Sequence, residues 1–423
     1  MVLEKLSLRK NMTWTLVGTV IYSFTQWLLL IVIAKLGTPE MVGQYALGLA
    51  ITAPIVMLTD MRLRMSLVTD AKMEFGFEHY LGTRLLAVGL SFLMFVVTVW
   101  IFDYTYTTSW IIVLIGITKL PEFISDILHG LLQKNERMDF ITFSNIIKGV
   151  LTVIIFSIIL YYSHSLVFAI VGQLIVWTLV LLFYDCIVLK RYGSFRPSFE
   201  WVKVRQLVKL TIPLGIMGLL TSLNTNVPSY LVEYFLGKEE LGYFVAILYI
   251  VLAGNRVANS LRQPAAPLLA VLFEEKNTTG YKKLLFSLCG IGGLMGVIGV
   301  VIALLLGKFI LSIIYTTSYA DYAGLFALIM LSGLFNFPAM FLGTGIIATR
   351  HFKSQPYLAA LWLLVSLVGC IIFVPIYGVY GAAYALILSS LIKLISLFLV
   401  LVIILKKERS PVRESKLVKE VTS

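Results

Sequence analysis

The chain contains 423 residues, of which 59% are hydrophobic and only 13% are charged, and its mean hydropathy is +0.93. This composition excludes a soluble protein of this size. It predicts an all-α integral membrane protein, because the apolar runs are continuous over about 20 residues, the length of a membrane-spanning helix. The net charge of +12 is typical of some nucleic-acid-binding proteins, but the positions of the basic residues indicate another cause.

Twelve segments are apolar and long enough to cross a bilayer. They lie at 12–34, 41–61, 84–103, 109–133, 140–162, 165–188, 207–235, 241–263, 284–307, 319–348, 357–374 and 377–405. With the N-terminus in the cytoplasm, 27 of the 34 Lys and Arg residues fall in inward segments, and the outward loops hold only Lys35, Lys238 and Lys308. Positive charge favours the cytoplasmic side, so both termini are predicted to be cytoplasmic, with attraction to membrane lipids and no nucleic-acid partner.

The inward segment between the second and third spans, from Asp60 to Thr83, mixes acidic and basic side chains. Such a mixture is typical of a solvated surface, so this segment is expected to be a mainly solvated loop. Arg84, the first residue of the predicted third span, is counted with the basic residues of this loop.

Two outward turns share a sequence pattern. Leu36-Gly37-x-x-x-x-x-Gly43-x-Tyr45 follows the first span, and Leu236-Gly237-x-x-x-x-Gly242-Tyr243 follows the seventh, about 200 residues later. Six spans per half keep both halves in the same orientation, which predicts two parallel repeats. The predicted parts are an N-terminal six-helix lobe at 1–188, a cytoplasmic inter-lobe linker at 189–206, a C-terminal six-helix lobe at 207–405 and a basic cytoplasmic tail at 406–423.

The fourth span carries a stripe of polar residues at steps of three and four, which places them on one face of a helix. The stripe consists of Lys119, Glu122, Asp126, His129 and Gln133. Lys119 is about 15 Å deep at 1.5 Å per residue, close to the bilayer midplane. Charges at that depth normally face a wet cavity or a protein interior. The stripe therefore indicates a hydrophilic pathway, with a buried ion pair that only locks neighbouring helices as the alternative.

The fifth span contributes Asn145 and Lys148 to the predicted polar interior. Lys148 lies about 13 Å from the cytoplasmic end of its helix, while Asp126 and Glu122 lie about 10 and 16 Å from theirs. If the fourth and fifth spans are antiparallel neighbours, Lys148 is expected between these two carboxylates, in a paired and partly hydrated cluster.

The second half has its own polar residues within spans. Asn224, Asn226 and a proline are expected to interrupt the seventh span, and the eighth span carries Asn255, Arg256 and Asn259. An arginine suits phosphate recognition because its planar guanidinium binds oxygens in pairs, although it could also snorkel or pair with a carboxylate. Lys393 lies near the middle of the last span, with serines at helical spacing on both sides.

Motifs of known enzymes do not occur. The chain has no P-loop, its four histidines form no H-E-x-x-H motif, and its three cysteines lack the spacing of a metal site or a disulfide framework. No catalytic residue or metal ligand is therefore predicted. A secondary transporter with two bundles around a midplane cavity is the simplest interpretation.

Four motifs in order carry a family resemblance. They are Leu36-Gly37-x-x-x-x-x-Gly43-x-Tyr45, Ile212-Pro213-Leu214-Gly215, Leu236-Gly237-x-x-x-x-Gly242-Tyr243 and Pro375-x-Tyr377-Gly378-x-x-Gly381-Ala382-Ala383. Over essentially its whole length the chain resembles the polysaccharide-export branch of the multidrug/oligosaccharidyl-lipid/polysaccharide (MOP) flippase superfamily, and most closely the O-antigen and capsular repeat-unit flippases of bacteria.

The resemblance implies twelve transmembrane helices in two six-helix lobes with pseudo-two-fold symmetry, a MOP/MATE-like fold that works by alternating access. The implied substrate is a polyprenyl-pyrophosphate-linked oligosaccharide, carried across the bacterial inner membrane for cell-surface polysaccharide synthesis. Cavity cations would bind it, and two carboxylates would couple transport to a proton or sodium gradient, with no other cofactor. The implied cations are Lys119, Lys148, Arg256 and Lys393; the carboxylates are Glu122 and Asp126; the polar lining is Asn145, Asn224, Asn226, Asn255 and Asn259.

The expected partners are the lipid-linked oligosaccharide and membrane lipids, together with the polysaccharide polymerase and glycosyltransferases of the same synthesis. Two other functions remain open. A cation-coupled multidrug exporter of the same superfamily should have a more acidic and aromatic cavity lining. A membrane glycan polymerase or acyltransferase should carry acidic or histidine clusters in its outer loops, which this sequence lacks.

Overall fold

The computed structural model describes residues 6–70, 74–102, 104–192, 196–349 and 355–421. Every regular element within these ranges is helical, which confirms the predicted all-α class. The chain forms two compact units. The first comprises Met1–Glu233 and Gly237–Tyr243, and the second comprises Tyr234–Leu236 and Phe244–Ser423. The lobe boundaries inferred from the repeat remain a prediction.

Helices up to the seventh predicted span belong almost wholly to the first unit. They are α1 (Leu8–Leu36), α2 (Pro39–Asp60), α3 (Leu63–Thr69), α4 (Phe77–Ile101), α5 (Tyr106–Lys134), α6 (Met138–Ser163), α7 (Leu166–Val180), α8 (Cys186–Lys190) and α9 (Trp201–Leu236). Side-chain caps explain some of the boundaries: Ser7 Oγ accepts from the Lys10 amide, and Thr38 Oγ1 accepts from the Met41 amide ahead of a helix that starts with proline. A π-helical turn, Leu181–Asp185, joins α7 to α8.

The second unit contains the later helices. They are α10 (Lys238–Glu274, whose first turns belong to the first unit), α11 (Thr278–Ile314), α12 (Thr317–Ala320), α13 (Ala323–Ala348), α14 (Gln355–Tyr377) and α15 (Val379–Val421). Glycines on α11 bring it close to α13, because a Cβ at Gly292 or Gly296 would lie within 3.0 Å of the α13 backbone. This contact occurs at Leu334 and Phe337, on either side of Asn336.

Eleven helical segments of the described chain are long and apolar enough to cross a membrane. The segment Tyr106–Lys134 falls outside that set although it has 29 residues, and it carries the charged stripe. The protein is therefore a multi-pass membrane protein, and the predicted count of twelve spans is consistent with its helices. Which membrane it occupies and on which side its termini lie remain predictions.

The segment from Asp60 to Thr83 was expected to be a solvated loop, and that prediction is wrong. It contains α3 and the first turns of α4, and Leu63, Leu67 and Phe77 belong to a buried hydrophobic cluster. Arg84 lies inside α4 and is fully buried, so it is not a loop cation. Leu63 and Leu67, at i and i+4, bury α3, but the charged residues around them, Asp60, Arg62, Arg64 and Asp70, favoured a solvated loop.

The repeated glycine motifs of the two halves meet each other within the first unit. A Cβ on Gly43 would collide with the carbonyl oxygen of Lys238, and a Cβ on Gly242 would collide with the carbonyl oxygen of Pro39. Lys238 lies four residues before Gly242, and Pro39 lies four residues before Gly43, so the contact is reciprocal. Helix backbones approach this closely only where no side chain separates them.

A side chain at this crossing should separate the two helices. We expect Gly242→Ala to lower the stability of the protein in detergent by about 1–3 kcal/mol, because the added methyl group overlaps backbone atoms that cannot rotate away. Thermal unfolding of the purified protein measures the effect. Gly89→Ala on α4 is the matched control, since its Cβ meets no atom within 4 Å. Equal stability of both variants would contradict the contact.

Candidate functional site

The polar stripe of α5 lies on one side of the helix, yet its residues contact three different sets of partners. At about 100° per residue, steps of three and four residues return almost to the same direction. The five side chains of the stripe therefore project within an arc of about 80° around the helix axis. The two edges of such a stripe face different neighbouring helices. The stripe therefore contributes to three separate polar groups within the first unit.

The first group, the arginine cluster, consists of Asp60, Arg64, Arg84, Asp126 and Gln133. Arg84 has no exposed surface; its Nη1 lies 2.6 Å from Asp60 Oδ1, and its Nη2 lies 3.2 Å from Asp126 Oδ2. Arg64 donates from Nη1 to Asp126 Oδ1 over 3.1 Å and from Nε to Gln133 Oε1 over 3.0 Å. One carboxylate thus receives guanidinium groups from α3 and α4, which fixes both helices onto α5.

The second group, the lysine–aspartate cluster, consists of Ser125, His129, Lys148 and Asp185. Lys148 Nζ lies 2.8 Å from Asp185 Oδ2 and 2.6 Å from Ser125 Oγ. Ser125 donates to Asp185 Oδ2 over 2.6 Å, and His129 Nε2 lies 3.3 Å from Asp185 Oδ1. The carboxylate of Asp185 is 1% exposed, so these three partners replace the water that an ionised group requires.

Lys148 contacts α5 at Ser125, between Glu122 and Asp126 as expected, but it pairs with neither of these carboxylates: its ion-pair partner is Asp185. Depth along a helix limits which residues can meet, but it does not tell which way each side chain rotates. Asp185 ends a π-helical turn, where the extra residue per turn changes the direction of the side chains. Lys148 is only 3% exposed, so it forms a buried lock between helices, and its predicted contact with substrate stays untested.

The third group, the Lys119 group, consists of Tyr22, Lys119, Glu122 and Trp177. Lys119 Nζ lies 2.8 Å from Glu122 Oε2 and 5.1 Å from the centre of the Trp177 ring. The Tyr22 hydroxyl donates to Glu122 Oε1 over 3.2 Å. The side chains of Lys119 and Glu122 remain 20% and 35% exposed, so this group, unlike the lysine–aspartate cluster, is accessible.

A fourth group, the Lys393 group, lies in the second unit and consists of Asn255, Asn336, Trp362, Lys393 and Ser396. Lys393 Nζ donates to Asn336 Oδ1 over 3.0 Å and lies 5.3 Å from the centre of the Trp362 ring. Asn336 in turn donates from Nδ2 to Asn255 Oδ1 over 2.9 Å. The indole N–H of Trp362 donates to Ser396 Oγ over 3.0 Å, which fixes the ring against the ammonium group. Side chains of α10, α13, α14 and α15 thus form this group.

Two arginines, Arg256 and Arg262, lie on different sides of α10, the helix that carries Asn255. Arg256, the predicted phosphate-binding residue, has an exposed side chain. Arg262, which the sequence had assigned to an inward loop, lies within α10 and is half-buried.

The remaining predicted lining residues are asparagines. Asn145, Asn224 and Asn259 are half-buried, and their role stays a prediction. The expected interruption of the seventh span is wrong, because α9 is one continuous helix. Asn226 donates from Nδ2 to the carbonyl of Ser222, so its side chain bonds within the helix and does not break it.

Sequence reasoning missed several of these residues, although signals were present. Asp185 is a lone carboxylate in its apolar span, which marks it as a residue that needs a partner. Asn336 stands two residues before Pro338, just as Lys119 stands two residues before Pro121 in the fourth span of the first repeat. No sequence signal pairs Trp362 with Lys393, because they lie on separate helices.

Solved structures show which known fold this chain shares. An inward-facing MATE family multidrug resistance transporter of the MOP superfamily matches with a TM-score of 0.72, 12% identity, 91% of this chain and 96% of that chain. The lipid II flippase MurJ, in an inward closed conformation, matches with a TM-score of 0.71, 15% identity, 92% of this chain and 87% of that chain. At such identities the likeness shows the fold alone. That fold is the one shared by MOP transporters.

Sequence comparison then gives the family. A profile of the polysaccharide biosynthesis protein family matches residues 8–273. The capsular polysaccharide biosynthesis protein CapF of Staphylococcus aureus is 30% identical over 392 residues, which is 92% of this chain and 98% of that protein. The chain therefore belongs to the polysaccharide biosynthesis protein family, and it has the fold of these transporter structures.

The lysine–aspartate cluster should determine stability through the pairing of its charges. We expect Lys148→Met to destabilise the protein by about 3–5 kcal/mol, because it leaves Asp185 buried and unpaired. The double variant Lys148→Met/Asp185→Leu should recover most of this loss, since two apolar side chains replace the pair. Thermal unfolding in detergent measures both.

Lys308→Met serves as the control for loss of a lysine, because Lys308 is exposed on α11. A single Lys148→Met variant as stable as this control would contradict the locking role. Failure of the double variant to regain stability would show that the charges themselves, and not only their balance, are required.

Proposed function

We propose that the protein translocates polyprenyl-pyrophosphate-linked oligosaccharide repeat units across the bacterial cytoplasmic membrane, for the synthesis of a cell-surface polysaccharide. One combination of observations supports this proposal. The sequence belongs to a polysaccharide biosynthesis family, the fold is that of known transporters, and the membrane helices carry cations with exposed surface. Lys119 and Lys393 are partly exposed, and Arg256 is exposed. Ionisable groups within membrane helices usually mark the path of a substrate or an ion.

The proposed cycle is alternating access driven by a proton or sodium gradient. Glu122 is the carboxylate best suited to coupling, because it is 35% exposed and pairs with a partly exposed lysine. An ion that neutralises Glu122 would release the Lys119 ammonium, and departure of the ion would restore the pair. Asp126 is held by two guanidinium groups, so we assign it to holding α3 and α4 onto α5.

The proposed substrate implies which enzymes act before and after this protein. Glycosyltransferases must assemble the oligosaccharide on its lipid at the cytoplasmic face, and a polymerase must consume it at the outer face. The positive-inside pattern supports an orientation in which both termini face the cytoplasm.

Transport of a defined cargo tests the proposal. Proteoliposomes that contain the purified protein should move a labelled lipid-linked oligosaccharide to the opposite leaflet, whereas protein-free vesicles should not. The rate should exceed that of vesicles without protein by about tenfold or more, because an oligosaccharide headgroup crosses an unassisted bilayer very slowly. The absence of translocation, together with efflux of cationic dyes, would instead support the multidrug exporter.

Coupling can be separated from transport in the same vesicles. An imposed pH or sodium gradient should accelerate translocation, and Glu122→Gln should abolish that acceleration while leaving the gradient-free rate within about threefold of wild type, because the amide still accepts from Tyr22. Glu40→Gln, an outer-turn carboxylate that contacts Gln44, is the control. Full acceleration in Glu122→Gln would remove this residue from the coupling site.

A further inference from the structure

One cavity of the first unit takes no part in the polar groups described above. It has a volume of about 350 Å³ and lies between α3, α4 and α9, at the end of these helices that the sequence predicts to be cytoplasmic. Its polar lining consists of Ser66, Thr69, Asp70, Glu74 and Tyr80, and its apolar lining consists of Phe75 and Leu210. Every polar side chain in this lining brings oxygen to the cavity, and none brings nitrogen, so we call it the acceptor cavity.

Hydrogen bonds within the protein hold the oxygens of the acceptor cavity in place. Asp70 Oδ1 accepts from the Glu74 amide over 3.1 Å, and Asp70 Oδ2 accepts from the Phe75 amide over 3.2 Å. The Tyr80 hydroxyl donates to Asp70 Oδ2 over 3.5 Å. The Thr69 hydroxyl donates to a carbonyl of its own helix over 2.9 Å, so its lone pairs stay available. A ligand that fits this lining must therefore supply hydrogen-bond donors.

Glu74 adds an exposed negative charge to the cavity. Among the described residues, its carboxylate has no Lys, Arg or His nitrogen within 4 Å. The rings of Phe75 and Tyr80 pack edge to face beside it, with their centroids 6.1 Å apart. Proteins bind ammonium groups against aromatic rings and carboxylates. A primary ammonium supplies three N–H donors and the missing positive charge, whereas a sugar hydroxyl would leave the charge of Glu74 without a partner.

The position of the acceptor cavity along the helices indicates a ligand that lies in the membrane. Thr69 is the last residue of one apolar segment long enough to cross a bilayer, Pro39–Thr69, and Leu210 lies near the start of another, Trp201–Leu236. Leu210 is 58% exposed, so apolar surface adjoins the charged lining. The cavity therefore lies where the apolar and polar regions of a membrane meet, which is the level of lipid headgroups.

A lysine of α9 stands next to the acidic lining. Lys203 Nζ lies 5.8 Å from the centre of the Phe75 ring, and among the described residues it has no carboxylate within 4 Å. A second lysine, Lys134, donates to the backbone carbonyl of Asp70 over 3.0 Å. One ligand can satisfy Glu74 and Lys203 together only if it carries a cation and an anion close to each other. The headgroup of an ethanolamine phospholipid does so, because a short arm joins its ammonium to its phosphate.

We propose that the acceptor cavity binds the headgroup of an ethanolamine phospholipid from the adjoining leaflet. Asp70 and Glu74 receive the ammonium, Lys203 receives the phosphate, and the acyl chains lie along the apolar surface at Leu210. The lipid thereby links the residues after α3 to the start of α9 and stabilises this end of the first unit. The site is separate from Lys119 and Glu122, and it does not depend on which substrate the protein transports.

Lipid binding to the purified full-length protein, measured by native mass spectrometry, tests the site. Phosphatidylethanolamine should bind the wild type about fivefold or more tightly than phosphatidylcholine or phosphatidylglycerol with the same acyl chains, because only its headgroup carries a primary ammonium. Glu74→Gln should reduce this preference to less than about twofold, because the amide lacks the charge that the ammonium requires. Glu275→Gln, which neutralises an exposed carboxylate between α10 and α11, should keep the preference. Equal binding of the three lipids by the wild type would overturn the proposal.

Thermal unfolding separates loss of binding from loss of folding. Phosphatidylethanolamine should raise the unfolding temperature of the wild type and of Glu275→Gln, but not that of Glu74→Gln, because a ligand stabilises only the state that binds it. Without lipid, Glu74→Gln should unfold at the temperature of the wild type, since its side chain is exposed. Thr69→Val, which removes one acceptor oxygen at nearly constant shape, provides a second variant and should weaken binding about twofold or more. Equal lipid-induced shifts in the wild type and Glu74→Gln would contradict the site.

Competition identifies the source of the ammonium. Ethanolamine phosphate and glucosamine carry a primary ammonium but no acyl chain, so we expect neither to displace the lipid at about tenfold excess. Ethanolamine phosphate that binds as tightly as the lipid would overturn a ligand from the membrane. Glucosamine that displaces the lipid at equal concentration would overturn it in favour of an amino sugar.

Discussion

A charge inside a membrane helix must find a partner or reach water, and this constraint explains most of the first unit. Asp185 is nearly without exposed surface, and it is satisfied by Lys148, Ser125 and His129 from two other helices. Arg84 is equally buried and bridges carboxylates of α2 and α5. Because breaking either set would leave a charge without water, the helices around α5 are held in one arrangement.

The sequence predicted what depends on length and periodicity, but not what depends on rotation. Apolar length located the spans, and steps of three and four placed the polar residues of α5 on one side. The pairing of Lys148 could not be predicted, because the direction of Asp185 depends on a π-helical turn with no sequence signature. Arg84 was misassigned because α4 begins at Phe77, seven residues before the predicted third span, so that Arg84 lies inside the helix.

The glycine repeat was predicted from sequence alone, and the structure gives it a physical reason. Both motifs allow a backbone approach that a side chain would prevent, at Gly43 and at Gly242. The repeat also relates Lys119 to Asn336 through the proline that follows each of them by two residues. In the first repeat, Lys119 lies beside the carboxylate of Glu122. In the second repeat, Asn336 accepts a hydrogen bond from Lys393 of α15.

Under the proposed function, a cation in a membrane helix has one of two tasks, and the two tasks require different surroundings. A cation that binds an anionic substrate must remain uncompensated until the substrate arrives, and an empty protein can tolerate that only if neutral groups such as Asn336 and the Trp362 face stabilise it. A cation that responds to an ion needs a carboxylate beside it, as Lys119 has in Glu122. One lysine cannot satisfy both requirements, because a carboxylate that serves the second competes with the phosphate required by the first.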